Sequence, residues 1–258
     1  MIEIDNISKS FGGIQAVDGC SFSIKTGGIT GLIGPNGAGK STLFSIIAGF
    51  QRPDSGAIML DGKDIVGTPP HRLFHHGLVR TFQIPHEFSR MTVRENLMLV
   101  PPGQAGENLL ASWFRWGRVK RQDREILDRV DDVLGFLNID HVADEQAGNL
   151  SGGQKKLLEL GRTMMTDARV VLLDEPGAGV NPTLMATLSD AVVRLNKDRG
   201  YTFCLIEHDM ELVSRLCDPV ICMADGRVIA SGSMQQVRSN ELVRSAYLGD
   251  TRRNQDTA

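Results

Sequence analysis

The spacing of apolar residues predicts a chain that begins with strands and continues as a mixed α/β fold. Apolar or alternating runs bounded by glycine pairs predict strands over 2–7, 20–24 and 29–33, which indicate an antiparallel opening layer. The third of these strands runs into a glycine-rich loop and then into an apolar stretch of helical length, 41–50. This strand–loop–helix unit indicates the start of an α/β core.

The middle of the chain differs in character from its two ends. The region 84–148 is rich in helix formers, so it predicts a helical subdomain. Beyond it, helices again alternate with apolar strands, and this alternation implies a parallel sheet. The predicted organisation is an α/β core from 1–83 and 149–250, with the helical subdomain between them and a flexible tail over 251–258.

Length and charge narrow the class of protein. A chain of 258 residues is long enough to bury a core without disulfides or structural metals. The formal net charge of -3 provides no overall basic field, so nucleic acid is not an expected partner. The start of the chain lacks the pattern of a secretory signal, and no window approaches the roughly 20 apolar residues of a membrane span. We therefore expect a cytoplasmic protein that meets a membrane only through partners.

A phosphate-binding motif, G-x-x-x-x-G-K-[ST], lies between the third predicted strand and the helix that follows it. Its residues are Gly34, Pro35, Asn36, Gly37, Ala38, Gly39, Lys40, Ser41 and Thr42. The three glycines allow backbone N–H groups to face phosphates, and the helix N-terminus adds partial positive charge.

The motif assigns a role to each of its last three residues. Lys40 would reach the β- and γ-phosphates, Ser41 would place its hydroxyl on Mg²⁺, and Thr42 would hold the α-phosphate side. The alternative is a glycine-rich turn with an incidental lysine, but the flanking strand and helix favour nucleotide binding. We therefore predict ATP and Mg²⁺ as ligands.

Two carboxylates end an apolar run at 170–173. Because this run is a predicted strand of the parallel sheet, Asp174 and Glu175 should lie beside the phosphate loop at the carboxyl ends of the strands. Asp174 can then orient Mg²⁺, and Glu175 can act as the base that polarises the attacking water. An apolar run ending in two acidic residues also occurs in ordinary strands, so this prediction depends on the phosphate loop.

A turn upstream of these carboxylates, Leu150-Ser151-Gly152-Gly153-Gln154, matches the signature of the ABC (ATP-binding cassette) ATPases. By itself it could be an ordinary helix cap with permissive glycines. The chain resembles this family over nearly its whole length, and the resemblance implies a P-loop core that hydrolyses ATP for a membrane transporter. It also implies a head-to-tail pair of cassettes, in which each nucleotide contacts the 34–42 loop of one subunit and the 151–154 turn of the other.

Three further residues occupy positions of the family's functional motifs. Gln83 matches the Q-loop glutamine, which faces Mg²⁺ and the attacking water, and His208 matches the switch histidine that contacts the γ-phosphate. Phe11 matches the position where an aromatic ring stacks on adenine. Taken alone, each has a structural alternative: a polar strand end, a structural histidine and a core phenylalanine.

The segment 178–181 departs from the wider family, since it is Ala-Gly-Val-Asn where Ser-Ala-Leu-Asp is common. With it, the stretches 80–83, 207–210 and 247–249 resemble the ATPases of branched-chain amino-acid importers. This resemblance implies polytopic permease subunits and a second cassette at the cytoplasmic face of the inner membrane. The alternatives are an importer of urea or short amides, a lipid exporter, a nontransport clamp on DNA or ribosomes, and a small-molecule kinase.

Overall fold

The computed structural model describes residues 1–81, 87–107 and 116–253. The strands in this part of the chain are β1 Ile2–Phe11, β2 Ile14–Ile24, β3 Ile29–Ile33, β4 Ser55–Leu60, β5 Lys63–Asp64, β6 Leu78–Arg80, β7 Val170–Asp174, β8 Thr202–Ile206, β9 Val220–Ala224 and β10 Arg227–Gly232. The α-helices are α1 Lys40–Ile47, α2 Pro70–His75, α3 Val93–Met98, α4 Trp116–Leu137, α5 Gly152–Met164, α6 Pro182–Arg199, α7 Met210–Leu216, α8 Met234–Ser239 and α9 Glu241–Arg253.

The opening layer is a four-stranded antiparallel sheet in the order β2-β1-β4-β5. Its first two strands form one long hairpin, in which Ile2 pairs with Ile24 and Phe11 pairs with Ile14. The antiparallel layer was predicted, but both strands extend further toward the turn than expected, because that end is held by pairing rather than by apolar burial. Strand β4, which pairs with β1, was not predicted.

A six-stranded sheet in the order β10-β9-β3-β8-β7-β6 forms the second layer. Its neighbours from β9 to β6 are parallel, and β10 is an antiparallel edge strand. Every residue of β3, β7, β8 and β9 is buried, as expected for a sheet covered on both faces. The carboxyl ends of β3, β7 and β8 therefore meet at one edge of the sheet. The predicted α/β class with a parallel core is confirmed.

One hydrophobic core joins the antiparallel layer, α1 and the large sheet. Helix α1 contributes Leu43, Phe44, Ile46 and Ile47, each at most 4% exposed. Buried isoleucines of β1 and β4 and central residues of β3, β8 and β9 belong to the same cluster. Because α1 is fixed by this burial, the loop that precedes it has a rigid support at each end.

The chain divides into two compact units. Unit 1 contains Met1–Gln83, Arg169–Ala178 and Val193–Ala258, and unit 2 contains Ile84–Ala168 and Gly179–Val192. This division differs from the one we predict from sequence, which assigns 149–250 to the core. The difference has a packing reason in α5.

Helix α5 belongs to unit 2 because it packs closely on α3 and α4. A Cβ atom added at Gly161 would lie 2.9 Å from Cδ1 of Leu137 and 3.2 Å from Cδ2 of Leu97, so the helices approach one another at this glycine. No helix in the described ranges is both long enough and apolar enough to cross a membrane.

Candidate functional site

The predicted phosphate loop is the connection between β3 and α1, and it packs against β2. Gly39 immediately precedes α1 with φ 92°, a left-handed conformation that favours glycine. A Cβ atom at this position would lie 2.1 Å from the carbonyl oxygen of Ala16. At Gly39 the loop therefore approaches the backbone of β2 more closely than a residue with a side chain allows.

A cavity opens over this loop within unit 1. The lining residues are Ala16, Asn36, Gly37, Ala38, Gly39, Lys40, Ser41, Thr42, Glu175 and His208. The structure therefore brings together three parts of the predicted site, namely the phosphate loop, the carboxylate after β7 and the histidine after β8. These parts are far apart in sequence but follow three strands of the same parallel sheet.

Lys40, the lysine of the loop, is 6% exposed and folds back over the backbone that precedes it. Its Nζ donates hydrogen bonds to the carbonyl oxygens of Gly34 at 2.7 Å and Pro35 at 2.9 Å. A buried ammonium needs such acceptors. Phosphate oxygens would be stronger partners because they carry charge, so this side chain is placed to exchange carbonyls for phosphate.

Glu175 and His208 form the polar contact across the cavity. Oε1 of Glu175 lies 2.9 Å from Nε2 of His208. Glu175 has φ 49°, a left-handed conformation that costs a non-glycine residue about 1–2 kcal/mol. Its N–H donates to the carbonyl oxygen of Ile206 at 3.0 Å, which ties this strained residue to the end of β8. The contact places the Glu175 carboxylate beside the His208 ring at the cavity wall.

Glu207, which the sequence reasoning did not single out, joins the two loops that carry these residues. It is 4% exposed, and its carboxylate accepts N–H groups from Gly177 at 2.6 Å and His208 at 3.1 Å. Burial raises the pKa of Glu207, and these backbone hydrogen bonds oppose the rise. The signal in the sequence was a glutamate directly after the apolar run 203–206 and directly before the predicted histidine.

The residues predicted to hold Mg²⁺ offer oxygen atoms of the right kind. Asp174 is the last residue of β7 and is 5% exposed, and Ser41 lies in the first turn of α1. Among the residues that the structure describes, no group of three or more His, Cys, Asp or Glu side chains could hold a metal. One carboxylate and one hydroxyl fit Mg²⁺, which is commonly bound through few protein ligands together with substrate phosphates.

The predicted signature turn begins α5 in unit 2. Ser151 is the N-cap in a capping box, since its Oγ lies 3.4 Å from N of Gln154 and Oε1 of Gln154 lies 2.9 Å from N of Ser151. A Cβ atom at Gly153 would lie 2.5 Å from Cδ1 and 2.9 Å from Cβ of Leu184, so this glycine allows close packing on α6. The nucleotide role of residues 151–154 stays a prediction.

Phe11 is not among the residues that line the cavity, and neither is Asp174. Phe11 ends β1 with 43% of its surface exposed, and Nζ of Lys9 lies 5.5 Å from its ring centre. Its stacking on adenine stays a prediction. Gln83 lies outside the described residues. Asn181, where the sequence departs from the wider family, caps α6 because its Oδ1 accepts the N–H of Leu184 at 2.9 Å.

Comparison with known proteins gives two family matches and several close relatives. Residues 17–178 match the family described as ABC transporter, and residues 227–252 match the family described as branched-chain amino acid ATP-binding cassette transporter. A probable branched-chain amino acid transport ATP-binding protein LivG of Archaeoglobus fulgidus is 42% identical over 96% of this chain and 95% of its own length. The high-affinity branched-chain amino acid transport ATP-binding protein BraF of Pseudomonas aeruginosa is 38% identical over 97% of this chain and 98% of its own length.

Solved structures give the same result for the fold. A nucleotide-free ATP-binding cassette from an ABC transporter superposes with a TM-score of 0.82, is 39% identical, and the match covers 96% of this chain and 98% of that one. The ADP conformation of an ATP-binding cassette of an ABC transporter also gives 0.82, at 38% identity and the same coverage. The chain therefore belongs to the ATP-binding cassette family of ABC transporters.

Proposed function

We propose that this chain binds MgATP and hydrolyses it as one of two cassettes that power a branched-chain amino-acid importer. The observation that carries the catalytic part is the contact between Glu175 and His208 at the wall of the phosphate-loop cavity. A carboxylate held by a histidine next to a phosphate cradle is suited to orient a water molecule toward a γ-phosphate.

Each residue at this wall has a part in the proposed reaction. Lys40 leaves the carbonyl oxygens of the loop and binds the β- and γ-phosphates, where its charge stabilises the transferred group. Glu175 accepts a hydrogen bond from the attacking water, and His208 positions the glutamate until ATP binds and then turns its Nε2–H toward the γ-phosphate. When bound, Mg²⁺ would neutralise phosphate charge, and Ser41 and Asp174 are the residues that would hold it.

The proposal includes a second cassette, because the cavity described above lies entirely in unit 1. The 151–154 turn has an exposed serine at the start of a 13-residue helix, which is a suitable anion site for the nucleotide of a partner. In the proposed pair, the turn of each subunit closes over the phosphate loop of the other. Binding energy for ATP would then favour the closed pair, and hydrolysis would release it.

The proposed cargo of the transporter and the proposed location of this chain are inferred from its relatives. Proteins at 35–42% identity are named for branched-chain amino acid transport, and the matching carboxyl-terminal segment belongs to the same kind of transporter. We therefore propose polytopic permease subunits as partners, and a peripheral position on the cytoplasmic face of the membrane. The cassette itself does not contact cargo in this proposal.

The catalytic part can be tested with Glu175→Gln. The variant should bind ATP as the wild type does, release phosphate at least about 100-fold more slowly, and accumulate as a dimer in MgATP on size-exclusion chromatography. Glu211→Gln, which changes an exposed glutamate in the first turn of α7, is the matched control and should behave as the wild type. Wild-type turnover in Glu175→Gln would remove this residue from the catalytic role.

A test of the proposed transport function requires the membrane partners. Tagged Glu175→Gln is purified with MgATP from detergent-solubilised host membranes, and the permeases that copurify are identified and reconstituted with the wild-type cassette. The vesicles should take up labelled leucine, isoleucine or valine, but not urea, when ATP is present. Copurification of ribosomal or DNA-bound proteins without any permease would instead support a nontransport clamp.

A further inference from the structure

Arg80 makes a buried ion pair with the carboxylate proposed to hold the metal. It ends the edge strand β6, and its Nη2 donates to Oδ2 of Asp174 at 2.7 Å. The two side chains are 9% and 7% exposed. Such a pair is screened little by solvent, and removing one partner would leave an uncompensated buried charge.

The same guanidinium also reaches α1. Nη1 of Arg80 donates to Oγ of Ser45 at 2.8 Å, and Oγ of Ser45 donates to the carbonyl oxygen of Ser41 at 2.7 Å. The hydroxyl can do both, since it has one donor and two acceptor positions. A continuous chain of hydrogen bonds thus runs from Asp174 through Arg80 and Ser45 to the backbone of Ser41.

The two ends of this chain are the two residues whose oxygens suit Mg²⁺. We propose that Arg80 is a positioning residue that sets Asp174 and Ser41 relative to one another, so that both can hold the metal of MgATP. Arg80 contacts one carboxylate oxygen, and Asp174 carries a second for the metal. This inference rests on the proposed function, because it assigns Arg80 to the same nucleotide site.

The geometry requires an arginine rather than any cation. A guanidinium presents several N–H groups in a fixed plane, so one side chain can bind the carboxylate and the hydroxyl at the same time. A lysine at position 80 would keep the charge beside Asp174 but would lose the fixed fork. Residues behind metal ligands typically change metal affinity by about 10–100-fold when mutated.

The test measures Mg²⁺ binding at equilibrium, without turnover. A fluorescent ADP analogue is titrated onto the protein in a chelator and then at increasing Mg²⁺ concentrations. We expect Arg80→Lys to leave the metal-free affinity unchanged and to raise the Mg²⁺ concentration for half-maximal tightening by about tenfold. Arg227→Lys, which alters an exposed pair with Asp18 in the same unit, should leave both values unchanged.

Ser45→Ala provides a second route to the same result, because it removes the link to Ser41 and leaves the Arg80–Asp174 pair intact. Ser45→Ala should also raise the Mg²⁺ concentration for half-maximal tightening. If Arg80 and Ser45 act through the same chain of hydrogen bonds, the double variant Arg80→Lys with Ser45→Ala should show little more than the larger of the two single effects. This variant decides the matter if Arg80→Lys fails to fold.

The outcomes separate the inference from the function beneath it. Equal losses of metal-free and metal-bound affinity in Arg80→Lys, or an unchanged Mg²⁺ requirement in both single variants, would overturn the positioning role while leaving the nucleotide site intact. A wild-type protein whose ADP affinity did not depend on Mg²⁺ would overturn the proposed metal site itself.

Discussion

Replacing single glycines of the phosphate loop with alanine tests how the loop is held. Gly37 and Gly39 both have left-handed backbones, with φ 78° and 92°. They differ in their surroundings, because a Cβ at Gly39 would lie 2.1 Å from the carbonyl oxygen of Ala16, whereas in the described chain no atom beyond the two adjacent residues lies within 4 Å of one at Gly37. Gly37→Ala is therefore the natural control for Gly39→Ala.

The expected costs follow from these contacts. An alanine with a left-handed backbone costs about 1–2 kcal/mol, and this applies to both variants. The loss of chain entropy in the unfolded state is also common to both, so it cancels in their difference. Gly39→Ala must in addition move a backbone carbonyl by about 1 Å, which we place with overpacking at about 1–3 kcal/mol. The free energy of unfolding should therefore fall by about 1–3 kcal/mol more in Gly39→Ala than in Gly37→Ala.

Urea unfolding followed by circular dichroism measures this difference, provided that the slope m is the same in both variants. Because Ala16 also lines the cavity, Gly39→Ala should weaken ATP binding more than its control does. Equal midpoints for the two variants would show that the loop yields freely, and would refute the claim that its shape is fixed by packing on β2.

Two further predictions concern buried polar side chains. Burial raises the pKa of Glu207 above the ordinary 4.5, so the folded state loses stability through this group as the pH rises from 4.5 toward the raised value. Glu207→Gln should therefore become more stable relative to wild type across that range in urea unfolding, and a difference that falls with pH would contradict this. Asn96 is fully buried, and its side chain hydrogen-bonds the backbone N–H and carbonyl oxygen of Phe88. Asn96→Ala should therefore lower the free energy of unfolding by about 2–4 kcal/mol in urea unfolding. A loss below about 1 kcal/mol would contradict this prediction.

The core sheet was predictable from sequence because its strands are buried on both faces. Runs such as 203–206 and 220–223 are continuously apolar, and the structure places strands there. The antiparallel layer was harder, since its outer strand positions are polar and exposed. Strand β4 was missed although it carries a local signal, because Asp61-Gly62, with φ 48° and 79°, is a two-residue hairpin turn that joins it to β5.

The residues of the candidate site also differ in how far they could be predicted from sequence. The phosphate loop and the carboxylates after β7 were predictable because each lies in a short segment with its own pattern. Arg80 and Glu207 were not, since their importance comes from partners 94 and 30 residues away in sequence. Buried charges are costly unless they are paired, and only the three-dimensional arrangement reveals the partner.

Both of these residues join loops that the sheet alone would leave independent. Arg80 connects the end of β7 to α1, and Glu207 connects the segment after β7 to the residue after β8. Glu175 lies between these two connections with a strained backbone, which persists only where its surroundings hold it. The motifs supply the groups that react, and the buried charges of Arg80 and Glu207 fix the positions of those groups. A cassette whose phosphate loop and β7 carboxylates are intact should therefore still lose the geometry of its site when residue 80 or 207 is altered.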